Sequence, residues 1–503
     1  MSSTSQAMID PVFADLQPAA VWTHFATLCR IPRQPKAEGP LRDHLRAWAL
    51  AGGLAATVDA AGNLLIRKPA SAGREQAPGV VLQAHLDMVC QKNPDSPHDF
   101  SRDPIRPLQR EGWLFAEHTT LGADNGIGVA LILAALADST LPHGPLEALL
   151  TVDEEAGMGG AHGLAAGVLQ GRLLLNLDTE EWGEFFVGSA GGLDVDVARP
   201  GHAQTVPAGC EVWRIDLHGL RGGHSGVDIH AERGNAIKLL VRVLRDLENR
   251  LPLRLCTLTG GSARNSLPRE AVARLALPNG QGKALSASLQ TWQSLLRQEL
   301  LGVDEGVSIT CTAASAGQVM SARDQTVWLA SLHAAPHGVH HWSQRLRGVV
   351  ETSSNLGMVA VGPEQGNCNF MIRSLLESRS DALADEIVSL FALSDTTVDK
   401  SGHYPGWAPN AASPLLARCR EVYRHEFGAE AKVQVIHAGL ECGLIAARYP
   451  ELDMVSFGPT IRGAHAPGER VDIASVGQCW QLLQAILAAI ASPTAPAVPA
   501  AEQ

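Results

Sequence analysis

Gln83-Ala84-His85-Leu86-Asp87-Met88-Val89 extends an apolar run, Val80-Val81-Leu82, that reads as a buried strand. At its end an imidazole and a carboxylate stand two residues apart. Side chains at i and i+2 share a face of an extended chain, so Asp87 can reach the ring nitrogen of His85 that a metal would leave free. A zinc-ligating His usually donates that second N–H to a carboxylate, which fixes the ring and raises its basicity. One such pair says little by itself. Further acidic and imidazole positions downstream, each at the edge of an apolar run, turn it into a pattern.

Thr120-Leu121-Gly122-Ala123-Asp124-Asn125-Gly126-Ile127-Gly128 runs into an apolar helix predicted over 129–136, with Asp124 where that helix begins. Taken alone, Asp124 reads equally well as an ordinary N-cap. Gly122, Gly126 and Gly128 do not match the dinucleotide fingerprint, and no strand leads directly into them. A strand over 146–152 ends in Asp153-Glu154-Glu155, followed by Gly157-Met158-Gly159-Gly160. A solitary Glu-Glu pair would read as a solvated acidic turn. The apolar run 172–177 ends in Asp178. Carboxylates and an imidazole thus collect at the C-terminal ends of successive strands or at a helix start, the edge where open α/β sheets gather their ligands.

The chain has 503 residues, too many for one ordinary core, so two or more domains are expected. Its formal net charge of -12 argues against nucleic acid and against an anionic membrane, both of which select basic surface. The nine cysteines are scattered with no C-x-x-C spacing, which speaks against a disulfide framework and a zinc knuckle. The N-terminal stretch shows neither a basic region nor the apolar core of a secretory signal. No apolar run is read as long enough for a membrane span. A cytoplasmic enzyme is the expectation.

In chain order, residues 1–17 read as a mobile arm, 21–29 and 41–54 as helices, and 56–66 as two strands around Ala61-Gly62-Asn63. Residues 100–118 are polar and broken, a loop or short hairpin. The pattern shifts over 192–401. Strands are predicted at 211–218, 272–277 and 307–314, and helices at 235–251, 285–301 and 381–391, an α/β or α+β unit with its own core. That unit carries the loop Gly219-Leu220-Arg221-Gly222-Gly223-His224-Ser225-Gly226, the segment Gly260-Gly261-Ser262-Ala263-Arg264-Asn265-Ser266, and a strand over 369–375 with Arg373. The first pattern resumes after Trp407: helix 414–427, strand 432–436, then His437-Ala438-Gly439-Leu440-Glu441-Cys442-Gly443 and strand 452–457. The segment 458–470 holds His465, a helix over 473–491 follows, and the Pro/Ala-rich 492–503 reads as a disordered tail.

His85, Asp124, Glu155, Asp178 and His465 make a mixed nitrogen and oxygen set without sulfur, which zinc accepts, and one bridging carboxylate would hold two ions about 3.5–4 Å apart. Glu154 would be left free as a general base. On these stretches, together with Asn176-Leu177-Asp178-Thr179-Glu180, Gly222-Gly223-His224-Ser225-Gly226 and the His437 and His465 segments, the chain resembles the zinc aminopeptidase/aminoacylase clan. Within it, the sequence is most similar to the bacterial aminoacyl-histidine dipeptidase branch. The matching stretches span about 32–471, in family order.

The resemblance implies an α/β fold: a di-zinc exopeptidase-like catalytic domain with a central mixed sheet flanked by helices, interrupted by an inserted α/β lid domain. The expected division is 1–191 and 402–491 for the catalytic domain, 192–401 for the inserted lid and dimerisation domain, and 492–503 for the tail. The resemblance also implies two Zn2+ per chain (Co2+ or Mn2+ as substitutes), one held by His85 and Asp178, the other by Glu155 and His465, with Asp124 bridging. Asp87 becomes the orienting residue, Glu154 the base that takes a proton from zinc-activated water, and His224 a donor to the oxyanion, supplied across a homodimer interface. Asn265, Arg373 and Glu441 are candidate substrate-binding residues, with a salt bridge as the plain reading of Arg373. His437 is read as structural before it is read as touching ligand. Ala466 stands where the family often has Ser. The implied activity is hydrolysis of unblocked dipeptides, X-His included. An N-acyl-amino-acid deacylase or aminopeptidase of the same clan, or a non-catalytic peptide-binding relative, are the competing readings.

Overall fold

The computed structural model describes residues 11–344, 346–410 and 412–492. They form two compact units. The first comprises the chain up to Gly188, Pro409–Val435, and the chain from Leu444 onward; the second comprises Ser189–Ala408 and Ile436–Gly443. The expected boundaries, 191/192 and 401/402, lie a few residues from these points, and the short return of 436–443 to the second unit has no counterpart in the sequence reading.

The first unit is built on an eight-stranded mixed sheet. Its order is Ala55–Val58, Leu64–Lys68, Leu146–Thr151, Val80–His85, Leu173–Asn176, Asp453–Ser456, Glu184–Ser189, Lys432–Ile436. The four strands from Leu146–Thr151 to Asp453–Ser456 are parallel. Leu146–Thr151 and Val80–His85 are buried at every residue, as expected for parallel strands covered on both faces. All four point the same way, so their C-terminal ends, carrying His85, the Asp153-Glu154-Glu155 turn, Asp178 and the segment leading to His465, share one edge of the sheet.

Helix Ala123–Ala137 is apolar on all sides and is buried from Asn125 through Leu136. A helix with no polar face has to lie inside a core. The glycines before and within it serve that packing. A Cβ at Gly126 would run into Phe25 and Arg33, and one at Gly128 would lie 2.5 Å from the Leu177 carbonyl. Gly128 therefore lets the helix press against the chain next to Asp178. Close approach, rather than phosphate binding, accounts for the glycine spacing.

Two expectations need correction. Residues 1–10 lie outside the described residues, but the rest of the expected mobile arm is packed. Pro11–Phe13 forms a 3-10 turn, and Phe13 and Leu16 are buried. The Phe13 ring lies 6.3 Å from Trp22 and 6.2 Å from Phe25, so Phe13, together with Leu16, docks the segment on the core. The C-terminal helix Ile473–Ala491, by contrast with the reading that no run is long enough, has the length and composition of a membrane span. Its Val476, Cys479, Leu482, Leu483, Ile486 and Leu487 belong to the core of the first unit, and their i, i+3/i+4 spacing marks one inward stripe. The expected tail lies outside the described residues from 493 on.

The second unit holds a nine-stranded antiparallel sheet in the order Ser308–Ala314, Cys210–His218, Ala271–Pro278, Arg254–Gly260, Val350–Val361, Gln365–Ser374, Gly191–Pro200, Thr397–Tyr404, with Gly338–Trp342 also paired to Val350–Val361. Helices Ala236–Arg250, Gly282–Glu299, Ala322–Ala334 and Glu377–Ala392 contribute to its separate core. Of the two architectures left open by the sequence, this is the α+β one. Register sets Ser353, Arg373 and Gly192 in one row across three strands.

Candidate metal centre and carboxylate pocket

The candidate ligands of the first unit converge. His85 Nε2 lies 3.1 Å from Asp124 Oδ1 and 3.4 Å from Asp178 Oδ1. His465 Nε2 lies 3.2 Å from Glu155 Oε2 and 3.4 Å from Asp124 Oδ2. Asp124 thus turns one carboxylate oxygen to each histidine. It does not serve as a helix N-cap: the next residue, Asn125, is non-helical with φ of -105° and ψ of 31°, and the Asp124 side chain faces the imidazoles instead of backbone N–H groups. Donor atoms of His85, Asp124 and Glu155 all lie within 4.8 Å of one another.

Three carboxylates and two imidazoles this close cannot all keep their ordinary protonation. Burial opposes charge on His85, but Asp178, Asp124 and Asp87 outweigh it and raise the imidazole well above its usual range. Asp124 and then Glu155 raise His465 to about 11. Burial lifts Asp178 to about 6, with help from the neighbouring Asp124 and Glu155. Burial also pushes Asp124 up, but His465 and His85 hold it below the normal carboxylate range. The set has the electrostatics of a cation site in which histidines carry the missing charge. Glu155 Oε1 is buried and has no hydrogen-bond donor among the described residues. An orphaned buried acceptor beside four other oxygen and nitrogen donors fits a divalent cation.

The turns that carry these groups are held by other buried carboxylates. Asp87, fully buried, lies 3.4 Å from His85 Nδ1. It also accepts the backbone N–H groups of Glu154 at 3.1 Å and Glu155 at 3.0 Å. Glu38 accepts the N–H of Asp153 at 2.8 Å. Asp153 and His465 both take left-handed φ values, 57° and 66°, conformations that non-glycine residues hold only where surroundings over-determine them. Arg33 is buried and donates to the carbonyls of Leu86 at 3.0 Å and Asp87 at 2.9 Å. Sequence reasoning missed Glu38 and Arg33. A charged pair in the Pro-rich link between two helices was the available signal.

In the second unit, Arg373 is 4 % exposed. Its guanidinium donates to Tyr404 Oη at 2.8 Å and Ser225 Oγ at 3.3 Å, and lies 3.3 Å from His224 Nε2. No carboxylate of the described residues forms an ion pair with it, so the salt-bridge reading fails. His224 Nδ1 accepts the N–H groups of Gly226 at 3.2 Å and Val227 at 3.0 Å. A neutral ring accepting at Nδ1 carries its proton on Nε2, and that N–H faces the Arg373 guanidinium.

His437 belongs to this cluster. Its Nε2 lies 2.8 Å from Ser353 Oγ. Burial, followed by the charge of Arg373, lowers its pKa to about 3. A Cβ at Gly226 would strike the His437 carbonyl, so the glycine of the His224 loop is what admits that approach. The exposed Asn265 is held through its backbone, its carbonyl accepting the Ser225 N–H at 2.8 Å. Glu441 is buried at the start of helix Glu441–Arg448. Tyr404 and Ser353 carried no signal in the sequence, because nothing short of the strand register brings them beside Arg373.

The family model "Peptidase family M20/M25/M40" matches residues 81–489. The chain belongs to that family. Within it, the cytosol non-specific dipeptidase of Escherichia coli (strain K12) is 45% identical over 475 residues, covering 94% of this chain and 98% of its own. The solved aminoacylhistidine dipeptidase of Vibrio alginolyticus is 43% identical, with 94% of this chain and 97% of that chain covered and a TM-score of 0.83. The aminopeptidase PepT of Bacillus cereus, 15% identical with a TM-score of 0.57 over 95% of this chain and 100% of that one, shares the fold alone. The mixed α/β architecture described above is therefore an M20 peptidase fold, and M20 membership brings hydrolysis of peptide bonds with divalent metal.

Proposed function

We infer that the protein is a metal-dependent dipeptidase. The observation that carries the reading is the carboxylate-imidazole cluster of the first unit, which suits divalent cations of the kind that act on a peptide carbonyl. The buried Arg373 of the second unit, which forms no ion pair with a carboxylate of the described residues, suits the terminal carboxylate of an unblocked dipeptide. The similarity to the two dipeptidases named above supports this substrate class and, with less detail, peptides ending in His.

We assign His85 and Asp178 to one metal ion, His465 and Glu155 to another, and Asp124 to both. The geometry of Asp124, one oxygen toward each histidine, supports the bridging role. Zinc suits this nitrogen and oxygen set, with Co2+ or Mn2+ as substitutes. When bound, such ions acidify water and polarise a carbonyl. Glu154 takes the water proton and returns it to the departing amine nitrogen. Its backbone N–H is fixed by Asp87. His224 donates through Nε2 to the oxygen that becomes negative. Arg373 holds the substrate carboxylate, with Asn265 and Glu441 as further substrate contacts.

The cytosolic name of the Escherichia coli relative supports a cytoplasmic protein. We assign 192–401 to an inserted domain that also mediates a homodimer, through which His224 reaches the partner's site. A panel of X-His and other dipeptides, tripeptides and N-acyl amino acids tests the activity. Turnover of the free dipeptides is the expected result; preference for N-acyl amino acids or tripeptides overturns it.

A further inference from the structure

Glu469 is 2 % exposed and lies four residues after His465. Its carboxylate accepts four consecutive backbone N–H groups. Oε2 takes those of Leu121 at 2.7 Å and Gly122 at 2.9 Å, and Oε1 those of Ala123 at 2.7 Å and Asp124 at 3.2 Å. On the other edge of the same turn, the buried Arg33 donates to the Gly122 carbonyl. The turn carrying Asp124 is therefore held on both polar edges by buried charged side chains. The helix itself does little there, because Asp124 and Asn125 are non-helical. The backbone N–H of Glu469 donates to the carbonyl of Ala466 at 3.1 Å, directly after His465. One residue thus joins the Asp124 turn to the His465 loop, across more than three hundred residues of sequence.

We propose that Glu469 is a positioning residue for the metal centre: it fixes the distance between Asp124 and His465 so that both face the same ion before that ion arrives. A carboxylate buried this deeply is costly unless its lone pairs are filled, and here they are filled entirely by the backbone that carries Asp124. A capping role confined to helix stability would not need the His465 loop as its source. The inference rests on the ligand assignment proposed above. Groups that hold metal ligands in place typically alter metal affinity by about 10–100-fold when removed.

The test compares metal-free proteins titrated with Zn2+ against a chromophoric chelator, and their Co2+-loaded absorption spectra. Glu469→Gln keeps the shape but replaces one acceptor oxygen with an amide that faces backbone N–H groups. It should fold, bind at least one Zn2+ about 10–100-fold more weakly, and show an altered Co2+ spectrum. Asp453→Asn is the structural control. Asp453 accepts Ser413 Oγ at 2.6 Å and the Leu415 N–H at 3.0 Å at the start of helix Pro414–Phe427, at the far end of the parallel strands. It should lower thermal stability and leave Zn2+ affinity as it was. Asp124→Asn separates the two layers of the argument. Zn2+ binding that survives Asp124→Asn overturns the ligand assignment. Zn2+ binding lost in Asp124→Asn but unchanged, with an unchanged Co2+ spectrum, in Glu469→Gln overturns the positioning role. If Glu469→Gln does not fold, Arg33→Lys, which loosens the opposite edge of the turn, takes its place with the same two expected outcomes.

Discussion

Asp87 accepts the backbone N–H of Glu154 through Oδ1 at 3.1 Å. The same carboxylate takes the Glu155 N–H and faces the ring of His85. A residue read from sequence as the partner of one imidazole thus also fixes the main chain of the candidate base and of another candidate ligand. The two roles predict two phenotypes. Glu154→Gln should retain metal and lose about 10²–10⁴-fold in turnover. Asp87→Ala should lose both metal affinity, by about 10–100-fold, and activity. Metal content and kcat measured on the same preparations decide the matter; a Glu154→Gln variant with near wild-type turnover removes Glu154 as the base.

Metal uptake should release protons. In the metal-free protein His465 titrates at about 11 and His85 well above its usual range, so both carry a proton at neutral pH. Ligation needs the neutral rings, hence each ring that binds must give up its proton and apparent affinity should rise with pH. Titration of apoprotein with Zn2+ in weak buffer reads the released acid directly. Saturation above one ion per chain is expected; a firm stoichiometry of one ends the bridging role of Asp124.

Arg373 has neutral partners and should be matched by the substrate's carboxylate. Arg373→Ala should cost about 2–5 kcal/mol in kcat/KM toward free dipeptides, the range for one partner of a buried charged hydrogen-bonded pair. Metal content should stay unchanged. Dipeptide amides, which lack the carboxylate, should be poor substrates of the native protein and nearly insensitive to the substitution. Equal losses on free and amidated dipeptides would remove Arg373 as the carboxylate anchor.

If His224 acts across a dimer, two inactive variants should complement one another. Glu154→Gln and His224→Ala mixed under subunit exchange would form heterodimers in which one site has its own Glu154 and the partner's His224. Activity should reappear there, up to one site per mixed dimer. Mixed dimers that form and stay inactive place His224 in its own chain's chemistry or outside it.

The second unit should weaken in mild acid for a reason unrelated to catalysis. Burial lowers His337 to about 3 from 6.5, and its Nδ1 faces the N–H of Leu356 and the amide of Asn235, each at 3.4 Å. A protonated Nδ1 would meet those donors with another donor. The unfolded chain binds this proton near 6.5 and the folded one near 3. Stability is therefore full above the unfolded pKa and lost progressively as pH falls toward 3. Thermal unfolding followed from neutral pH down to acid should show the decline, and His337→Gln should reduce its slope. An unchanged slope in a folded variant would show that His337 is not its source.

The sequence alone determined the parts governed by local chemistry. Apolar runs ending in His85, Glu155 and Asp178 mark buried strands, because short apolar runs bounded by turn residues suit strands covered on both faces. Helix Pro414–Phe427 and helix Ile473–Ala491 are legible for the same local reason: their apolar stripe repeats at helical spacing. The five candidate ligands were likewise visible, since each stands where a strand or helix meets a turn. Tertiary structure decided what depends on groups distant in sequence. Glu469 reaches the Asp124 turn, and Glu38 reaches Asp153, through backbone N–H groups that every residue has and that therefore leave no mark in the sequence. The salt-bridge reading of Arg373 could be dismissed only when strand register set it near Tyr404, and the 219–226 loop brought Ser225 and His224 to it, instead of an acid. Phe13 could be recognised as core only once Trp22 and Phe25 stood around it. Spacing along a strand or helix fixes which side chains share a face; which faces meet is set by packing between elements that no local pattern encodes.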